Sequence, residues 1–133
     1  MPEGNNQDHI KPFFYEGNED LPRVELNKDK GIFEISGKSL PEDVNEFYTP
    51  VIQWFEMYKK NPNEETYLDL KFEYLNSGSY RMVFMVIQQL EDLMNEGHKV
   101  GARWHYDPDD EDLREEGYAY AEKSNVPFEF IKL

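Results

Sequence analysis

With 133 residues the chain has the length of one domain, and at that size roughly two thirds of the unfolded surface can be buried. Its 28 acidic and 14 basic residues leave a formal charge of -14, which opposes contact with nucleic acid and anionic lipid because both require a basic surface. The absence of cysteine excludes a disulfide scaffold and a thiolate metal site, and no run reaches the roughly 18 apolar residues of a membrane span, so a cytoplasmic protein without membrane insertion is expected.

Residues 1–12 mix Gly, Asn, Gln, Pro and Asp without periodicity and read as a loose tail ahead of one domain over 13–133. From Pro22 to Asn27, Val24 and Leu26 alternate with polar neighbours. Lys28 to Gly31 then turns the chain, and Ile32, Phe33 and Ile35 resume the extended pattern of a hairpin. Val44, Phe47, Tyr48, Val51, Ile52, Phe55 and Tyr58 fall at helical spacing over Pro41 to Lys60. Pro50 predicts a kink or a fresh helix start there, and Trp54 lies off the stripe and is expected to be partly exposed.

Thr66 to Leu75 reads as a central strand, with Leu68, Leu70, Phe72 and Tyr74 on one face and Tyr67 on the other. A second helical stripe runs from Met82 to Met94 and ends at Gly97, a residue suited to a left-handed cap. Val100 to Tyr106 forms the next strand. Asp107-Pro108 resembles a capped helix start with acidic residues in the first turn, and Phe128, Phe130 and Ile131 close the chain as a strand. The order ββαβαβαβ predicts an α/β fold, a mixed and mainly parallel sheet of about five strands with flanking helices. Parallel crossovers bring Asn76 to Ser79 and His105 to Asp112 to one sheet edge, where sites of open α/β sheets gather.

Few residues at that edge carry chemistry. Ser77 and Ser79 stand where a strand gives way to a helix, and two readings apply: one of them caps the helix, or a hydroxyl there accepts a phosphoryl group that the helix N-terminus and Arg81 stabilise. The acidic run from Asp107 to Asp112 fails as a calcium loop, because an EF-hand starting at Asp107 needs glycine at 112 and glutamate at 118, where this chain has Asp112 and Tyr118. His105 has no evident nucleophile or orienting partner, and its neighbours Trp104 and Tyr106 favour a structural or interface role. A small enzyme or ligand-binding domain using His105 and the acidic loop stays as the alternative. No Walker loop, dinucleotide fingerprint or zinc site is evident, so no cofactor is expected.

Leu75-Asn76-Ser77 before a hydroxyl-bearing helix start, Gly97-His98-Lys99-Val100, Trp104-His105-Tyr106-Asp107, the acidic helix and Pro127-Phe128 occur in the order found in a known family. From about Pro22 to its C-terminus the chain resembles the SiaC-type bacterial regulatory phosphoproteins. The resemblance implies a fold like the STAS domains of anti-sigma-factor antagonists and a hydroxyl switched by a protein kinase and a PP2C-type phosphatase. It also implies an unmodified form that binds and activates an effector such as a diguanylate cyclase. The acceptor position matches Ser77, with Ser79 as the alternative because the best-known branch has threonine followed by two serines where this chain reads Ser77-Gly78-Ser79. Asn76, Gly78, Arg81, Trp104, His105, Tyr106 and Asp107 are then the residues expected around the phosphate or the partner.

Overall fold

In the computed structural model, which describes residues 9–133, strands and helices follow in the order β1 (Phe13–Tyr15), β2 (Arg23–Asn27), β3 (Ile32–Ser39), α1 (Val44–Tyr58), β4 (Glu65–Leu75), α2 (Ser77–Asn95), β5 (Lys99–Tyr106), α3 (Glu111–Lys123) and β6 (Phe128–Lys132). The six strands form one sheet in sequence order, with β4 and β3 at its centre. The expected α/β fold is present, with six strands in place of about five. The additional one is β1, which pairs antiparallel with β2 through Phe13 opposite Leu26 and Tyr15 opposite Val24. Three residues are too few for an alternating pattern to announce themselves as a strand. Most of the expected tail lies outside the described residues. Ile10 packs against the core, and the Lys11 carbonyl accepts a 2.8 Å hydrogen bond from the Trp54 indole.

The β2–β3 hairpin closes where the Asn27 side chain accepts from the Lys30 amide and the Gly31 amide donates to the Lys28 carbonyl. From β3 onward each strand lies parallel to its predecessor and one place further across the sheet. Right-handed crossovers that always advance in one direction must place every helix on the same face. They do. Phe33 meets Phe55 and Tyr58 of α1, while Tyr120 of α3 stacks on Tyr80 of α2 and abuts Trp104 of β5. The sheet is therefore covered on one side, and its strand order never reverses, so there is no switch-point crevice of the doubly wound kind.

The other face is open and polar. Arg23 pairs with Glu25 and Glu34, Lys71 with Glu34, and Arg103 with Asp69 and Glu129, so charges alternate across the strands and cancel locally.

Three expectations change on contact with this packing. Trp54 is buried at 7% exposure, because the chain around Lys11 covers it and Tyr58 stacks on it. Of the kink or fresh start expected at Pro50 the fresh start is not formed, since Pro50 lies inside one continuous helix. The Glu46 carbonyl that loses its helical donor is on an exposed residue, where water can serve it. Tyr74 does not join Leu68, Leu70 and Phe72 in the core: the β3–β4 register slips so that Gly37 faces Phe72 and Lys38 faces Tyr74. This bulge turns Tyr74 outward at 54% exposure and brings Leu75 inward.

Candidate functional site

Helix α2 starts directly at the end of β4, and neither serine caps it. Asn76 does, in extended conformation, with its side-chain oxygen accepting from the Ser79 amide at 2.8 Å. The two serines then face opposite worlds. Ser77, the first helical residue, is exposed on the rim of the sheet edge. Ser79 is fully buried, and its hydroxyl donates to the Ser39 carbonyl at 3.1 Å while accepting from the Ser39 hydroxyl at 2.8 Å.

Since Ser39 donates to Ser79, the Tyr48 hydroxyl 2.6 Å from Ser39 Oγ must be the donor of that pair. The result is a directed chain, Tyr48 to Ser39 to Ser79 to the Ser39 carbonyl, which also accepts from the Asn76 amide at 3.1 Å. It ties α1, the end of β3 and the start of α2 into one buried unit directly behind Ser77. Burial pushes the Tyr48 hydroxyl up to about 12, against the smaller opposing effect of its bonds to Ser39 and Ser79.

The acidic helix lies across from Ser77, as the parallel topology requires. Ser77, Tyr80, Tyr74 and Leu113 line one groove of about 730 Å³ together with Asp110 and Asp112 of the α3 start. The expected Asp107-Pro108 helix start is displaced by three residues. Asp107 instead opens a turn, its side chain accepting from the Asp109 amide and its carbonyl from the Asp110 amide, and Asp110 caps α3 through the Leu113 amide. Glu116, one turn further, has its carboxyl pushed up by burial and then by the charges of Asp110 and Asp112.

The remaining expected residues separate by strand alternation. Asn76 and Gly78 are half-buried beside Ser77, and Arg81 is exposed without an ion pair among the described residues. Trp104 is completely buried under α3, its indole N–H donating to the Leu113 carbonyl at 3.1 Å. His105 projects to the opposite, open face, with Nε2 2.9 Å from Asp69 Oδ1. Tyr106 packs half-buried at the end of β5, and Asp107 is exposed in the turn. The structure thus brings Ser77 and the acidic helix to one groove, whereas the His105 ring is paired with Asp69 on the other face of the sheet.

Residues the sequence reading passed over complete the groove: Tyr74, released by the bulge, Tyr80, Glu115, Glu116 and Lys123. The signal for Glu116 and Lys123 was present in the spacing of 112, 116, 119 and 123, which share a helix face.

Among the described residues no helix is long and apolar enough to cross a membrane, and no cluster of three or more His, Cys, Asp or Glu could hold a metal ion. Comparison with known proteins places these features in context. An uncharacterised protein of Pseudomonas aeruginosa (strain UCBPP-PA14) is 30% identical over 112 residues, covering 84% of this chain and 89% of that relative. The crystal structure of apo-SiaC from Pseudomonas aeruginosa superposes with a TM-score of 0.84 at 26% identity, over 92% of this chain and 99% of the other. The SiaC chain in the crystal structure of the diguanylate cyclase SiaD in complex with its activator SiaC, from the same organism, gives 0.85 at 27% identity over 91% and 99%. Residues 15–133 match the sequence profile of the SiaC family regulatory phosphoproteins, and the chain belongs to that family.

Proposed function

We propose that this protein is a phosphorylation-switched regulatory binding protein of the cytoplasm and not itself a catalyst. A protein kinase modifies Ser77, a PP2C-type phosphatase reverses it, and the unmodified form binds and activates a diguanylate cyclase. The observation that carries this reading is the contrast between the two serines at the α2 start: Ser77 is exposed at the helix N-terminus, whereas Ser79 is fully buried and both donates and accepts hydrogen bonds. Only the first offers its oxygen to an external enzyme. Membership of a family of regulatory phosphoproteins supports the switch, and the similar SiaC structure bound to a diguanylate cyclase supports the effector class.

A phosphoryl group on Ser77 adds about 1.5 to 2 negative charges to a rim that already carries Asp110 and Asp112. At about 8 Å and an effective dielectric near 20, one such charge and one carboxylate repel by roughly 2 kcal/mol. A hydrated dianion in this position is costly to cover with a partner surface, and a coupling of about 1 to 3 kcal/mol, five- to 150-fold in affinity, is of the right size for a switch. The buried hydroxyl chain behind Ser77 ties the helix start to β3 and α1, and the switch described here is local and requires no refolding.

The test titrates Ser77→Ala and Ser77→Asp chains against the purified diguanylate cyclases of the source organism and follows binding and cyclase turnover. Ser77→Ala is expected to bind and activate one of them, with Ser77→Asp weaker by at least fivefold. Equal affinity of the two variants would refute the switch, and failure of Ser77→Ala to bind any cyclase would refute the effector.

A further inference from the structure

The groove beside Ser77 has a chemistry that a bare phosphoryl acceptor does not need. Its floor is apolar and aromatic, made by Tyr74, Leu75, Tyr80, Leu113 and Ala119. One wall is a row of carboxylates: Asp110, Asp112, Glu115 and Glu116 of α3. The Glu116 carboxyl is disfavoured as an anion, first by burial and then by the two aspartates, and a cation placed there would relieve it. Tyr74 stands 54% exposed where its strand would otherwise bury it. Lys123 is the one basic residue in this lining, its ammonium 5.2 Å over the Tyr80 ring of the floor.

From this arrangement we infer that the groove is the docking site for a basic amphipathic segment of the effector. An apolar side chain of that segment seats on Tyr74 and Tyr80, and flanking Lys or Arg residues lie against Asp112, Glu115 and Glu116. Charge complementarity selects this occupant. An acidic or uncharged helix would leave the carboxylate wall desolvated and unpaired, and a second copy of this chain, at a formal charge of -14, would bring like charge to it.

The inference rests on the effector reading above and refines it. It also sets two terms of the switch against each other, because a basic segment alone would be drawn toward added phosphate. A phosphoryl group on Ser77 occupies the end of the groove where the apolar anchor must seat. The cost of covering that hydrated dianion and the loss of the dry contact together oppose the extra attraction for the basic flank, and the Ser77→Asp comparison measures the balance.

The experiment measures binding of the cyclase identified with Ser77→Ala at low and high salt, using Tyr74→Ala and Asp112→Lys/Glu115→Lys made in that background. All three positions are exposed, and urea titration of each variant verifies an unchanged fold. Tyr74→Ala is expected to weaken binding at least tenfold at either salt concentration, as an aromatic anchor does. The double charge reversal is expected to weaken it tenfold or more at low salt and to flatten the salt dependence. Retained affinity in the folded charge-reversal variant, while Ser77→Asp still loses it, would overturn the groove and leave the switch standing. If Ser77→Ala binds no cyclase, both readings fall together.

Discussion

Replacing Trp104 with alanine is expected to lower stability by about 3 to 5 kcal/mol, the range for deleting a large buried aromatic and roughly a fifth or more of the total of a typical domain. The indole is wholly inaccessible, lies 6.1 Å from Phe72 and 5.5 Å from Tyr120 between ring centroids, and donates to the Leu113 carbonyl. It holds α3, and with it the acidic wall, on the sheet. Gly117 is the other half of this lock: a Cβ added there would stand 2.5 Å from both Cδ1 and Nε1 of the ring. Overpacking of about 1 to 3 kcal/mol therefore competes with the roughly 1 kcal/mol that alanine offers over glycine in a helix. We expect Gly117→Ala to destabilise in the natural chain and to become neutral or stabilising once Trp104 is alanine, a coupling that urea titrations of the four proteins measure directly. Full stability in Trp104→Ala together with lost cyclase binding would instead return Trp104 to the partner surface.

The position of Trp104 shows what the sequence could and could not convey. The segment Trp104-His105-Tyr106-Asp107 reads as one local cluster, yet strand alternation sends Trp104 under α3 and His105 to the open face beside Asp69, so neighbours in the chain serve different surfaces. The same alternation made β4 legible as a strand: Leu68, Leu70 and Phe72 interleave with Asp69 and Lys71, while the coverage of one face only emerged from the packing. The failure at Tyr74 has a definite cause, because the bulge shows only in the pairing of β4 with β3, where Gly37 and Lys38 oppose Phe72 and Tyr74 and leave Glu73 without a partner in β3. Trp54 failed for a related reason, its cover being a carbonyl 43 positions earlier in the chain. Ser77 was legible as a site because it lies at a junction of two strong local patterns. Which serine is reachable was not, since the burial of Ser79 depends on Ser39 and Tyr48 from other elements.

The same buried hydroxyls make the protein sensitive to alkali. Tyr48 is pushed from 10.0 up to about 12, chiefly by burial, and Tyr120 and Tyr58 are raised by the same cause. Each ionises less readily folded than unfolded, so the stabilisation is complete below about pH 10 and is lost as pH climbs through the folded value. For Tyr48 alone the interval from about 10 to about 12 amounts to roughly 3 kcal/mol, and the other two tyrosines act in the same direction. The geometry agrees: a tyrosinate cannot donate to Ser39, so the Ser39 hydroxyl would turn toward it and abandon Ser79, slackening the α2 start behind Ser77. Urea midpoints measured from about pH 9 to about pH 12 should fall steeply in the natural chain. Tyr48→Phe should begin about 1 kcal/mol lower, from the lost hydrogen bond, and descend less. If the two curves run parallel across that interval, Tyr48 ionisation is not what the stability senses, and the Ser77 platform is held by the surrounding apolar packing instead.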